Sequence, residues 1–249
     1  MPLAPSHCAF VMYTVISAQQ RFVAPPPQDL PSGCALLFAY GSAAPAASRW
    51  TRVQAEPYTP SYARALRGRR LSRVFKIGSH LLNETRPLVY VDSKRAIKNA
   101  QAMQHVFERM RECGASFFSF LHPQRAHALL DEIKAIRRYR RSENYETLAE
   151  QEKWIQNNAA LATSDLRRRT VVNDGSLLFR LPGDASRRFE VEWQRVYDAG
   201  SDRDQPAFAI AYHALFGERD PRTCGNAVWL VEYGGNRDLR YGHTSFVRG

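Results

Sequence analysis

The stretch Leu88-Val89-Tyr90-Val91-Asp92-Ser93-Lys94, "LVYVDSK", decides how this chain is read. Its first four residues are apolar, and three are β-branched or aromatic, which predicts a buried strand. Asp92, Ser93 and Lys94 then end it abruptly. A carboxylate at such a strand end has two uses. It can hydrogen-bond its own turn and leave the lysine in solvent, the commoner use of Asp at this kind of position. It can also hold a divalent cation through hard oxygen ligands, with the ion bridging a diphosphate and Lys94 adding charge to the same anion.

Around that stretch, strand patterns alternate with helical ones. Strands are predicted at 10–16 ("FVMYTVI"), 34–41 ("CALLFAYG"), 50–56, 87–93, 115–121, 176–182 and 227–234. Helices are predicted over a basic segment at 60–75, then at 99–113, 125–141, 142–162, 187–200 and 201–217. Gly114 suits the stop of the second helix, and Pro206 the first turn of the last, where no intrahelical N–H is needed. Such alternation predicts one α/β domain with a mainly parallel central sheet flanked by helices. Ligands of open α/β sheets sit outside the carboxyl ends of the strands, and Asp92 lies at such an end.

The 249 residues suffice for one large domain, and no apolar run is long enough to span a membrane. The first residues lack the basic and apolar regions of a signal peptide. Cys8, Cys34, Cys113 and Cys224 lie far apart without a CxxC, which predicts free thiols rather than a disulfide or zinc framework. The net charge of +11 favours polyanionic partners, namely nucleic acid, an acidic polysaccharide, an anionic membrane surface or a phosphorylated substrate. Arginines cluster at 67–70, 137–141 and 167–169, and solvated faces explain such runs as readily as a binding site. No RNA-binding aromatic signature, zinc finger or helix-turn-helix pattern accompanies them, which argues against nucleic acid. HExxH, G-x-S-x-G, Walker A and GxGxxG are also absent.

Four further places carry chemistry. Asn173, Asp174 and Gly175 precede a strand, where Gly permits close approach of a ligand and Asn can exchange hydrogen bonds with hydroxyls; a simple turn reads the same way. Arg203, Asp204 and Gln205 crowd a helix start, and an Asp there can act as a base or orient a sugar hydroxyl, while Ser201 or Asp202 can cap the helix. His122 and Arg125 follow a strand and can bind an anion or an acceptor. His243, after a Gly near the end, is a candidate metal ligand.

In order, the motifs around Lys76 with His80, Asp92-Ser93-Lys94, His122 with Arg125, Asn173-Asp174-Gly175 and Arg203-Asp204-Gln205 resemble the glycosyltransferase-like domain of plant Golgi proteins implicated in seed mucilage and pollen turgor, the TOD/MUCI-type family. The resemblance covers residues 10–246 as one domain. It implies a GT-A-like fold related to family 8 glycosyltransferases, and transfer of a sugar from a nucleotide-diphosphate sugar to a glycan, acidic or neutral, or another hydroxyl acceptor. By the same resemblance Asp204, Gln205 and Asn173 would be catalytic. Lys76, His80, Lys94, His122, Arg125, Gly175 and Arg203 would bind substrate. Asp92 and His243 would hold a divalent cation, manganese or magnesium. Lys94 stands where the family 8 DxD pattern has its second acid. The relatives work in the Golgi, anchored in its membrane, whereas no anchor is visible here. Two alternatives accompany this expectation: a hydrolase like the branch labelled alkaline ceramidase, and a non-catalytic module that binds glycan or phosphate.

Overall fold

The computed structural model describes residues 3–17, 22–41, 49–64, 66, 68–122, 129, 149–150, 153, 172–199 and 203–232. The helices expected at 125–141 and 142–162 lie outside the described residues, apart from isolated positions. The described strands are β1 (Val11–Ile16), β2 (Ala35–Ala39), β3 (Thr51–Gln54), β4 (Leu88–Val91), β5 (Phe117–Leu121), β6 (Asn173–Arg180) and β7 (Val228–Val231). The described helices of more than one turn are α1 (Gly68–Ile77), α2 (Ala100–Glu112), α3 (Asp184–Ala199) and α4 (Asp204–Phe216).

All seven strands form one sheet in the order β3-β2-β1-β4-β6-β5-β7. The pairs β1–β2, β2–β3, β1–β4 and β5–β7 are parallel. Only β6 runs against its neighbours, β4 and β5. The sheet is therefore mixed but mostly parallel, as the alternating pattern implied. One consequence is functional. The carboxyl ends of β1, β4 and β5 share an edge, and the reversed β6 brings its amino end, Asn173, to that same edge.

Helices cover both faces. Phe117 and Phe118 are adjacent on β5 and so point to opposite sides. Phe117 packs at 5.1 Å from Phe189 of α3 and 5.7 Å from Phe208 of α4. Phe118 meets Phe179, which meets Phe107 of α2. On the α3 and α4 side, Phe75 of α1 packs on Phe38, and the Tyr13 hydroxyl donates to the Phe75 carbonyl at 2.9 Å. Helix α2 starts where expected: the Asn99 side chain accepts from the amides of Gln101 and Ala102. Gly114 follows it at φ +63°, the left-handed conformation its position called for. No helix among the described residues is long and apolar enough to cross a membrane.

The cysteine expectation is overturned. Cys8 pairs with Cys34 and Cys113 with Cys224, and no cysteine is free. Linear spacing hid both bridges because the sheet makes them. Parallel pairing of β1 with β2 places the Cys34 carbonyl 2.9 Å from the Met12 amide, which brings the segment before β1 beside the start of β2. Cys113 closes α2, and its carbonyl accepts from the Gly225 amide at 2.9 Å, next to Cys224.

By loop-closure entropy, the bridges spanning 26 and 111 residues stabilise by about 3.5 and about 4.8 kcal/mol. Replacing Cys8 and Cys34 together by Ala is expected to lower Tm by roughly 7–14 °C, read by differential scanning calorimetry without reductant. An unchanged Tm would show that the bridge contributes nothing to stability.

Candidate functional site

The chain leaves β1 to lay β2 and β3 on one side, then returns to lay β4 on the other side of β1. Between the carboxyl ends of β1 and β4 the connections diverge, which is where open α/β sheets form a ligand crevice. Asp92 sits at this point. Its amide donates to the Ser176 carbonyl at 2.8 Å, anchoring it to β6. Its Oδ1 accepts from the Lys94 amide at 3.2 Å, and its carbonyl from the Arg95 amide at 2.8 Å. The turn reading of Asp92 is thus realised, but by one carboxylate oxygen. Oδ2 has no hydrogen-bond partner among the described residues. Lys94 is exposed, and its ammonium makes no ion pair among them.

Asp204 lies at the first turn of α4, buried, with both oxygens engaged. Oδ1 is 3.2 Å from Arg73 Nε, and Oδ2 pairs with Lys76 Nζ. Arg73 and Lys76 are three apart on α1 and therefore share a face. Burial opposes ionisation of Asp204, but the charges of Arg73 and Lys76 overcome it and hold the carboxyl far below the usual range. Burial, with the neighbouring Arg73 charge, pushes Lys76 down to about 8. Its ammonium also rests 5.5 Å from the centre of the Tyr90 ring. Asp92 is close enough to Arg73 and Lys76 for its charge to favour both cations. Trp193 Nε1 donates to the Asp204 carbonyl at 2.8 Å and so fixes α4 against α3.

Gly175 makes the cluster possible. A Cβ there would stand 2.8 Å from Lys76 Nζ and 3.1 Å from Asp204 Oδ2. Sequence placed Asn173, Asp174 and Gly175 before the strand; instead they are its first residues. Two steps along β5, Ser119 to Leu121, correspond to five along β6, Leu178 to Asn173. This bulge re-aims the amino end of β6, as bulges beside functional sites do. The Ser119 hydroxyl lies within hydrogen-bond reach of the carbonyls of Asp174 (3.1 Å) and Leu177 (3.0 Å). Gln205 Nε2 donates to the Asn173 carbonyl at 3.1 Å, tying α4 to the bulge. The Asn173 side chain is fully buried, and neither Oδ1 nor Nδ2 has a hydrogen-bond partner among the described residues. A buried amide without partners is costly, and its natural complement is a ligand or a water.

Asp92, Lys94, Lys76, Asn173, Gly175, Arg203, Asp204 and Gln205 therefore gather along one edge. His122 follows β5 at that edge, its amide donating to the Val172 carbonyl at 2.8 Å. His80 is held elsewhere. Its Nδ1 lies 2.8 Å from Glu190, which pairs with Arg180 at the far end of β6. Arg180 also bonds Tyr13 and the Lys76 carbonyl, so this buried group braces α1 from behind. Arg125 and His243 lie outside the described residues.

Two residues of the edge escaped the sequence reading: Arg73, and Arg95, whose guanidinium bonds Asp174 at 3.0 Å and the Ser176 hydroxyl. Arg73 could have been found by its spacing of three from Lys76, and Arg95 by its place directly after the opening stretch.

The donor set does not fit a divalent cation among the described residues. No group of three candidate ligands includes Asp92; the one such group is His7, Cys8 and Cys34, whose sulfurs form a disulfide. The other acids of the edge are taken, Asp174 by Arg95 and Asp204 by Arg73 and Lys76. A cavity of about 220 Å³ lies elsewhere, beside the start of α2. Its carboxylate, Asp29, caps the helix through the Ala100 amide at 2.9 Å, which accounts for it structurally.

No family model matches the chain, and neither does any curated protein or solved structure at a significant level.

Asp204→Asn leaves two buried cations facing one neutral amide, and is expected to cost about 3–5 kcal/mol in urea denaturation. The pH dependence follows from the depressed carboxyl. Its stabilisation is complete above its unfolded value of about 3.9 and is lost as pH falls below it. The wild-type protein should therefore lose stability below about pH 4, and Asp204→Asn should show a shallower acid limb, measured by Tm against pH.

Proposed function

We propose that this chain is a glycosyltransferase of GT-A-like fold that moves a sugar from a nucleotide-diphosphate sugar to a hydroxyl acceptor. The observation that carries the reading is the gathering of Asp92, Asn173, Gly175, Asp204 and Gln205, with Lys76, at the carboxyl end of β4 and the adjoining amino end of β6, next to the β1–β4 switch point. Open α/β sheets bind nucleotides at such switch points. The half-buried Asp92 carboxylate, with Oδ2 open, suits ribose hydroxyls. The orphaned Asn173 amide suits sugar hydroxyls, which both donate and accept.

Transfer builds negative charge on the departing diphosphate, and fixed cations lower that barrier. Lys76, Arg73 and Lys94 supply such charge. Asp204, held far below the usual carboxyl range, is a poor proton acceptor near neutral pH. Its role in this reading is to keep the two α1 cations in place and present a fixed negative charge beside the sugar, rather than to act as a base. The two disulfides support the secretory compartment that the family resemblance implies, since such bridges persist under oxidising conditions.

One observation favours the non-catalytic alternative. Both Asp204 oxygens are engaged, so among the described acids of the edge only Asp92 keeps an oxygen open to a ligand. The hydrolase alternative gains no nucleophile from cysteine, because every cysteine is bridged.

Thermal-shift titration with uridine, guanosine, adenosine and cytidine diphosphate sugars tests the reading. At a hundred times Kd, one of them should raise Tm by roughly 5–10 °C. Asp92→Ala should abolish the shift while lowering the Tm of the unliganded protein by only about 1–6 °C, the loss of one turn hydrogen bond. Release of nucleoside diphosphate on addition of an acidic glycan separates a transferase from a binding module. Stabilisation by none of the nucleotide sugars would sink the reading.

A further inference from the structure

We propose that the carboxyl edge of β4 binds a nucleoside diphosphate without a divalent cation, Lys94 supplying charge at the place where a bridging metal would otherwise act. The inference rests on the donor-site reading above and specifies its electrostatics.

The argument begins with the carboxylates. A bridging metal needs several hard oxygen ligands turned toward the phosphates. Asp92 offers one open oxygen, its other being spent on the Lys94 amide. Asp174 is closed by Arg95, Ser176 donates to it through both its amide and its hydroxyl, and Asp204 is closed by two cations. A dication arriving here would meet Asp174 and Asp204 already neutralised by their paired cations, and would be repelled by Lys94. A polyanion meets the opposite field. Of these cations Lys94 alone is exposed and without an ion pair among the described residues, so its charge is available at no cost of breaking a contact. Its position is also fixed. The Asx turn ties its backbone to Asp92, the residue directly after β4, and the Ala24 amide bonds the Ser93 carbonyl at 2.7 Å. The exposed side chain therefore extends from a braced backbone. Asp92 and Lys94 then divide the ligand between them: the acid accepts ribose hydroxyls and the lysine meets the diphosphate.

Isothermal titration of the full chain with uridine, guanosine, adenosine and cytidine diphosphates, in EDTA and again in Mn²⁺, tests this. One diphosphate is expected to bind with similar affinity in both buffers. Lys94→Ala and Lys94→Asp are each expected to weaken that binding about tenfold or more in EDTA, as loss of a charged contact does. Lys98→Ala, an exposed lysine of the same loop, should leave it unchanged. Lys94 and Lys98 are both exposed, so unaltered Tm will show that the variants fold. Binding seen only with Mn²⁺ would overturn the inference and leave the donor-site reading standing. Unimpaired binding by both Lys94 variants would overturn it in the same way. Binding of no diphosphate in either buffer would overturn both.

Discussion

Everything at this edge depends on one buried carboxylate shared by two cations. Asp204 takes Arg73 on one oxygen and Lys76 on the other, and the three side chains come from helices far apart in sequence. Such a group is a poor investment as stability alone, since apolar side chains of similar volume often do as well. Its consequence is positional. α1 carries its cations to the amino end of β6, beside the carboxyl end of β4, and α4 begins there, because the acid is reachable from both sides. The constraint propagates to β6, where only a glycine leaves room for the lysine head. From behind, Arg180 and Glu190 hold the carboxyl end of α1 and the start of the loop after it.

The reversed strand is the second requirement. Were β6 parallel to its neighbours, Asn173 and Gly175 would fall at the opposite edge from Asp92. Antiparallel pairing with β4 and β5 puts them beside it, and the bulge turns them toward α1 and α4. Ser119 is the inconspicuous residue that makes this tolerable. Buried in the middle of β5, its hydroxyl meets backbone carbonyls that the broken ladder leaves over.

This explains which features were legible in the sequence. The apolar runs at 10–16, 34–41, 87–93 and 115–121 announced their strands because buried parallel strands are continuous in hydrophobicity. Asp92 announced itself by contrast with Val91. The amino end of β6 did not, because Asn-Asp-Gly has the composition of a turn and becomes strand only by pairing with β5. The disulfides were illegible for a related reason: their partners are neighbours only once the sheet exists. His80 was named by the resemblance alone, and the structure sets it apart from the edge. Helix α1 stops at Ile77, and His80 lies in a separate short turn that faces Glu190.

The charge of the chain also needs to be separated from the charge of the site. An excess of +11 points to anions in general, and the eye goes first to the arginine runs. Two of those runs, 137–141 and 167–169, lie outside the described residues. The cations that shape the crevice are instead single residues, Arg73, Lys76 and Arg95, each buried or nearly so and each matched to an acid. Matched charges create little long-range field. What they do is consume the carboxylates that a metal would need, so that the polarity of the edge is set by the lysine left over. A crevice with one open acid and one open base, two residues apart on a braced turn, is complementary to a ligand that is itself divided, with hydroxyls at one end and an anion at the other.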